Sequence, residues 1–265
     1  VINVTNSGGT FGSIGLNNPY VFVNSVTPSG GSAGTLQSLV VNGMLPAWMV
    51  MNNGADFVTY SPSTGLSKIT YHLGSITTQL TGFAGTGVEN VATNTAQSGS
   101  LSQLNLNSLI LYGANTYSFN SGAGVNLSSG GLMVNNQTVA LGNAPNNGTV
   151  STPAPQLYLF NQSALNLNSA ITDGGVATTL VKSGAGVLSL YGTNTYTGGT
   201  IINAGTVLVG PGGVLPGNVD PSVGIVLNAA TLTESAGAVL PMDNDYRLNG
   251  AATLNLFGDN TLTGA

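Results

Sequence analysis

The chain has no cysteine, and its 265 residues carry only three basic and eight acidic side chains. The first absence removes a disulfide framework, a thiolate metal site and a cysteine nucleophile together. The second leaves 4% charged residues, against about 25% in an ordinary soluble domain. With Lys68, Lys182 and Arg247 as the whole basic complement, no cationic stripe exists to follow a phosphate backbone, so nucleic acid is not an expected partner. The most apolar run, Leu39 to Met51, is broken by Asn42, Gly43 and Pro46. It falls short of the ~20 residues a bilayer span requires, and no membrane insertion is expected of this segment. Amphipathic helix is missing as well, because Gly, Asn or a β-branched pair interrupts every candidate stretch of about ten residues.

Glycine, asparagine, threonine and serine fill the place of charge. Hydrophobic content of 42%, with seven Phe, nine Tyr and one Trp, is enough to bury a core, which separates this composition from that of a disordered chain. Thirty-nine glycines and Asn-Gly pairs at Asn42, Asn53, Asn147 and Asn249 punctuate short runs of Val, Leu, Ile and Thr. That pattern specifies an all-β fold.

Internal echoes narrow the architecture. Leu104-Asn-Leu-Asn-Ser108 returns as Leu165-Asn-Leu-Asn-Ser169, and Ser121-Gly-Ala-Gly124 returns as Ser183-Gly-Ala-Gly186, at offsets that agree within one position. Gly113-Ala-Asn-Thr-Tyr117 returns as Gly192-Thr-Asn-Thr-Tyr196 and again as Gly258-Asp-Asn-Thr-Leu262. These spacings are near multiples of about 20 to 22 residues, the coil length of a β-solenoid. Stacked at strand spacing, residues 1–265 then form a single module of about 12 or 13 coils, roughly 55 to 65 Å long. Parallel ladders, stacked Leu, Val and Ile, and Asn side chains pairing with copies above and below are expected to hold it. Residues 31–100 are the least periodic section, within which Leu45 to Tyr60 reads as a hairpin turning at Asn53-Gly54. The stretch 143–156, NAPNNGTVSTPAPQ, reads as a protruding loop.

From Leu180 the sequence runs LVKSGAGVLSLYGTNTYTGGTIINAGTVLVG. Its Lys-Ser-Gly opening, Leu-x-Leu-x-Gly strand, Asn-Thr-Tyr-Thr-Gly-Gly-Thr and Ile-Asn-Ala-Gly-Thr resemble the passenger-associated transport repeat, also called the autotransporter-associated β-strand repeat. Weaker relatives of the unit occur at Leu254 to Gly264, at Leu109 to Gly131 and at Ser7 to Gly12. The resemblance implies a right-handed parallel β-helix in a large secreted or surface-displayed bacterial protein, and it carries no catalytic residues to transfer.

Solenoids also host polysaccharide lyases and hydrolases, which need clustered carboxylates. The one dense group is Glu234, Asp243, Asp245 and Arg247. It reads as a turn whose Asp and Asn side chains bond local backbone, with weak calcium binding by Asp243 and Asp245 as the functional variant. His72, the sole histidine, reads as a half-exposed strand residue, and Asp56 and Glu89 as solvated turn positions. No catalytic, cofactor or metal site is expected. Trp48, Phe57, Tyr60 and Tyr71 with Met44, Met49 and Met51 are the one aromatic and methionine concentration; packing of the hairpin and an exposed carbohydrate- or protein-binding face are both open. Thr-x-Thr pairs at Thr93, Thr193, Thr231 and Thr261 are too irregularly spaced for the flat threonine face that ice binding requires.

The expected function is therefore a structural or adhesive surface element. Polysaccharide processing near Arg247 or Lys182, and glycan binding through Trp48, are the alternatives. Val1 begins beside a repeat tail and Ala265 stops inside a repeat unit, so continuation in a longer chain or head-to-tail self-association is expected. On the strand Val187–Leu190, alternation predicts that Leu188→Asp is severe and Ser189→Asp nearly neutral.

Overall fold

The computed structural model describes residues 35–258 apart from 52–55, 62, 64, 73–78, 218–223 and 242–244. The Asn53-Gly54 turn, Ser7 to Gly12, Asp243 and both termini lie outside the described residues. Two compact units divide the chain, Val1–Thr70 and Tyr71–Ala265. Their boundary falls inside the weakly periodic section 31–100.

In the first unit a single 3-10 turn, Leu36–Leu39, precedes strands β1 (Val50–Met51), β2 (Asp56–Ser61) and β3 (Gly65–Lys68), which pair antiparallel in that order. Val50 opposes Phe57 and Met51 opposes Asp56, as a hairpin over Leu45 to Tyr60 requires. Leu36, Leu45, Val58 and Tyr60 form the small core. Asn42 and Gly43 both take positive φ, 50° and 72°, so Val41 and Met44 exchange backbone bonds across the tight turn that this dipeptide favours.

The second unit is a parallel β-solenoid of about six turns. Its strands are β4 (Asn90–Thr93), β5 (Leu104–Tyr112), β6 (Thr116–Tyr117), β7 (Gly124–Asn135), β8 (Val139–Leu141), β9 (Thr149–Ser151) and β10 (Gln156–Asn161). There follow β11 (Leu165–Leu167), β12 (Ala170–Ile171), β13 (Thr179–Ser183), β14 (Val187–Leu190) and β15 (Thr200–Ile202). The last are β16 (Thr206–Val209), β17 (Ile225–Asn228), β18 (Thr231–Glu234), β19 (Tyr246–Asn249) and β20 (Thr253–Asn255).

Each coil contributes to three stacked faces. The first runs β4, the second half of β5, the second half of β7, β10, β13, β15, β17, β19. The second runs β6, β8, β11, β14, β16, β18, β20. The third begins with Leu104, Val125, Val150 and Ile171 in register and ends with bridges from Thr193 to Val214 and Val214 to Val239. Alternation sends every second residue of a strand inward, so continuous columns form. Val139, Leu165, Leu188, Val207 and Leu232 stack in register on the second face, and all five are fully buried.

The coils are less uniform than the echoes imply. Val187 stacks on Thr206 after a short coil, whereas Gly131 stacks on Tyr158 only after a markedly longer one. The echoes themselves cross faces. Leu104 lies on the third face, where it stacks through Val125 and Val150 to Ile171, while its counterpart in the echo, Leu165, lies on the second. The repeated words mark passages from strand into corner, because the same turn chemistry serves any corner. Residues 143–156 differ from the expected loop in containing β9, where Val150 is fully buried. Pro145 stands in the corner before that strand and Pro153 and Pro155 in the one after it, which is why the stretch reads as turn throughout. Ser189 also departs from expectation. It faces outward between Asn166 and Leu208, two longer side chains, and is only 6% exposed.

Candidate functional site

Buried polar residues recur along the solenoid, and the coil that begins at Leu180 holds Lys182, Ser189 and Asn194 among them. On the first face, Leu109, Leu132, Leu159, Lys182, Ile202 and Leu227 form one inward column, with a lysine among aliphatics. Lys182 is fully buried. Its stem occupies the space of a leucine while Nζ turns to the corner and donates to the carbonyls of Gly184 (2.5 Å), Ala204 (2.9 Å) and Ser183 (3.4 Å). Burial pushes its ammonium down to about 8 from the usual 10.5. Gly205, at φ 71°, leaves room for this ammonium, since a Cβ there would sit 2.7 Å from Nζ.

Asn194 pegs three coils together. Its Oδ1 accepts the Ile171 N–H at 2.8 Å, and its Nδ2 donates to the Val214 carbonyl at 2.7 Å. Tyr196, wholly buried, pairs its hydroxyl with that of Thr200 at 2.6 Å; burial raises its pKa far above the ordinary tyrosine value. Asp173 accepts the Thr178 and Thr197 N–H groups and the Thr197 hydroxyl, a further tie across coils. Outside, an asparagine ladder climbs the first face. Asn249 donates to Asn228 (2.8 Å), Asn228 to Asn203 (2.9 Å) and Asn203 to the Ser183 hydroxyl (3.3 Å).

Residues 180–209, spanning most of β13 through β16, match the family model described as a passenger-associated-transport-repeat. The match covers the segment in which the sequence resemblance is densest. No curated protein and no solved structure matches the chain. Within the matched segment the residues that carry the resemblance, among them Lys182, Gly184, Asn194, Tyr196 and Gly205, make or accommodate the bonds just described. The repeat is thus a set of latches between neighbouring coils. Sequence alone offers Lys182 only as a partner to carboxylates; the signal for its real role is an isolated lysine inside an apolar alternation.

The other candidates are dispersed. Asp245 and Arg247 form a loose ion pair at 3.8 Å, Glu234 accepts the Phe257 N–H at 3.0 Å, and Asp243 lies outside the described residues. Among the described residues no three His, Asp or Glu side chains gather as a metal site requires. His72 is half-buried in a short turn rather than a strand, with its ring tilted against Phe83 at 5.2 Å. Glu89 accepts the Thr86 N–H (2.8 Å), the Thr86 hydroxyl (2.7 Å) and the Val88 N–H (3.2 Å). Slight burial acts to raise its pKa, and these bonds outweigh it, holding the carboxyl below its usual range. In the first unit Met44, Phe57 and Tyr60 are buried, whereas Trp48 is 46% exposed in the turn after Pro46.

Proposed function

We propose that this chain is a structural or adhesive element of a passenger-type bacterial surface protein, displayed outside the cell and without catalytic activity of its own. The observation that supports this reading most is the matched repeat: its polar residues are engaged with neighbouring coils. Protease shaving and antibody labelling of intact cells test the placement, and a chain found only in the cytoplasm overturns it. Cleavage of any member of a polysaccharide panel by the purified protein overturns the non-enzymatic part and favours the polysaccharide-processing alternative.

Exposure of Trp48 supports a second role within the first. An indole left half in water beside a tight turn suits stacking on the apolar face of a sugar ring or capture of a protein partner. Glycan-array binding that disappears in Trp48→Ala supports it; binding that is unchanged in that variant removes it.

A further inference from the structure

The outer surfaces of the first and second faces use their polar side chains differently. On the first face the asparagines are bonded to one another, from Asn249 through Asn228 and Asn203 to Ser183. On the second face alternation turns Asn166, Ser189 and Leu208 outward in one column, and Val187, Thr206 and Thr231 in the next. Among the described residues the side chains of Asn166, Ser189, Thr206 and Thr231 make no hydrogen bond. Ser189 is the telling member, because it faces outward and is only 6% exposed. A hydroxyl so shielded normally has a partner, and this one finds none within the molecule.

Tyr191 stands at the edge of this surface, directly after β14, where its N–H donates to the Leu167 carbonyl at 2.9 Å. Its half-buried ring rests against Gly210: a Cβ on that glycine would sit 2.2 Å from the ring Cε1 and 2.4 Å from Cδ1. The close approach of the ring is therefore what calls for a glycine at this position. Among the described residues the Tyr191 hydroxyl makes no hydrogen bond either. None of β8, β11, β14 and β16 carries a charged residue.

We propose that this part of the second face binds an uncharged, extended polysaccharide of β-1,4-linked pyranoses, laid along the stack across β11, β14 and β16. The proposal rests on the adhesive reading above and gives it a ligand class. Sugar hydroxyls both donate and accept, so they match the unpartnered amide and hydroxyl groups, and the C–H face of a pyranose stacks on an aromatic ring such as that of Tyr191. Rungs recur every ~4.8 Å, close to the length of one pyranose unit, so successive sugars of an extended chain meet successive rungs. An anionic polymer gains nothing from strands that carry no cation. A protein partner would need a contiguous apolar centre, and in the two outward columns only Val187 and Leu208 are apolar.

Calorimetric titration of the whole chain with cellohexaose, mannohexaose and chitohexaose tests this, with polygalacturonate as the charged control and circular dichroism confirming that each variant is folded. At least one hexasaccharide should bind, with an affinity indifferent to salt, and polygalacturonate should not. Tyr191→Ala should weaken binding about ten-fold or more, and Tyr191→Phe much less, because the stacking ring is kept. Gly210→Ala, which pushes that ring from its place, should weaken it several-fold. Ser189→Ala should weaken binding without lowering the melting temperature, because its hydroxyl has no bond within the molecule to lose. Failure of every hexasaccharide to bind, tighter binding of polygalacturonate, or binding that is lost in Trp48→Ala and unchanged in Tyr191→Ala would each overturn the proposal. If Tyr191→Ala unfolds, the other two sites decide: folded Gly210→Ala and Ser189→Ala variants that both bind as wild type refute it. Display on intact cells is a separate measurement, so its failure is distinguishable from the failure of binding.

Discussion

The Lys182 ammonium reaches across a coil boundary to the carbonyl oxygen of Ala204 at 2.9 Å. A cation thus holds one coil of the matched repeat to the next from inside an apolar column.

That placement sets a pH dependence. The folded group loses its proton near 8, and the unfolded one near 10.5. Between those values the unfolded chain binds more protons, so this group makes stability rise with pH, by at most about 1.4 kcal/mol per unit. Buried Tyr196 acts the opposite way, because its raised pKa keeps it protonated while unfolded tyrosine ionises above about 10. Urea melts should therefore show stability climbing from about pH 8 and falling beyond about 10. Lys182→Met should remove the climb and Tyr196→Phe should soften the fall; a climb that survives in Lys182→Met rejects the assignment.

On β14 the three neighbouring positions should rank by burial. Leu188→Asp puts a carboxylate into the core column and should cost several kcal/mol, on the order of 3 or more. Ser189→Asp, outward but shielded between Asn166 and Leu208, should cost an intermediate amount. Val187→Asp, on the exposed edge of the same strand, should be close to neutral. Thermal melts that rank Val187→Asp above Ser189→Asp would contradict this packing.

Gly205→Ala meets a left-handed backbone, the Gly184 and Gly186 carbonyl oxygens at 2.6 and 2.7 Å from the new carbon, and the Lys182 Nζ at 2.7 Å. Gly212→Ala meets only the first, since its φ is 76° and nothing lies within 4 Å. The strain common to both is about 1 kcal/mol. Gly205→Ala should therefore be the more damaging in thermal melts, and combining it with Lys182→Ala should relieve part of the excess.

The asparagine ladder should behave as a coupled series. Asn228→Ala removes a donor below and an acceptor above, for about 1 kcal/mol in all at this exposed site. In a double-mutant cycle, Asn228 and Asn249 should couple by a few tenths of a kcal/mol or more. Strictly additive losses would mean that the ladder contributes nothing beyond its backbone.

The all-β class, the parallel stack and the hairpin at Leu45 to Tyr60 were legible because alternation and turn residues are local signals. Coil length was not. Corners absorb extra residues without moving a strand, so distances between repeated words blur across faces, as with Leu104 and Leu165. The same effect hides register: Thr206, Thr231 and Thr253 stand in one outward column although the two intervals between them are unequal. Lys182 and Asn194 were unreadable as latches for a related reason. Their partners are backbone groups, and backbone groups leave no mark on a sequence.

Unequal coils on an equal stack also fix how far this chain reaches. Each coil advances about 4.8 Å along the axis, whether it is as short as the one from Val187 to Thr206 or as long as the one from Gly131 to Tyr158. At about 22 residues per coil that is roughly 0.2 Å of height per residue, against ~3.3 Å for an extended strand. The six turns therefore rise only about 29 Å. Such a chain builds girth, and residues added at its corners enlarge what it presents sideways. To gain height, such a stack must add whole coils.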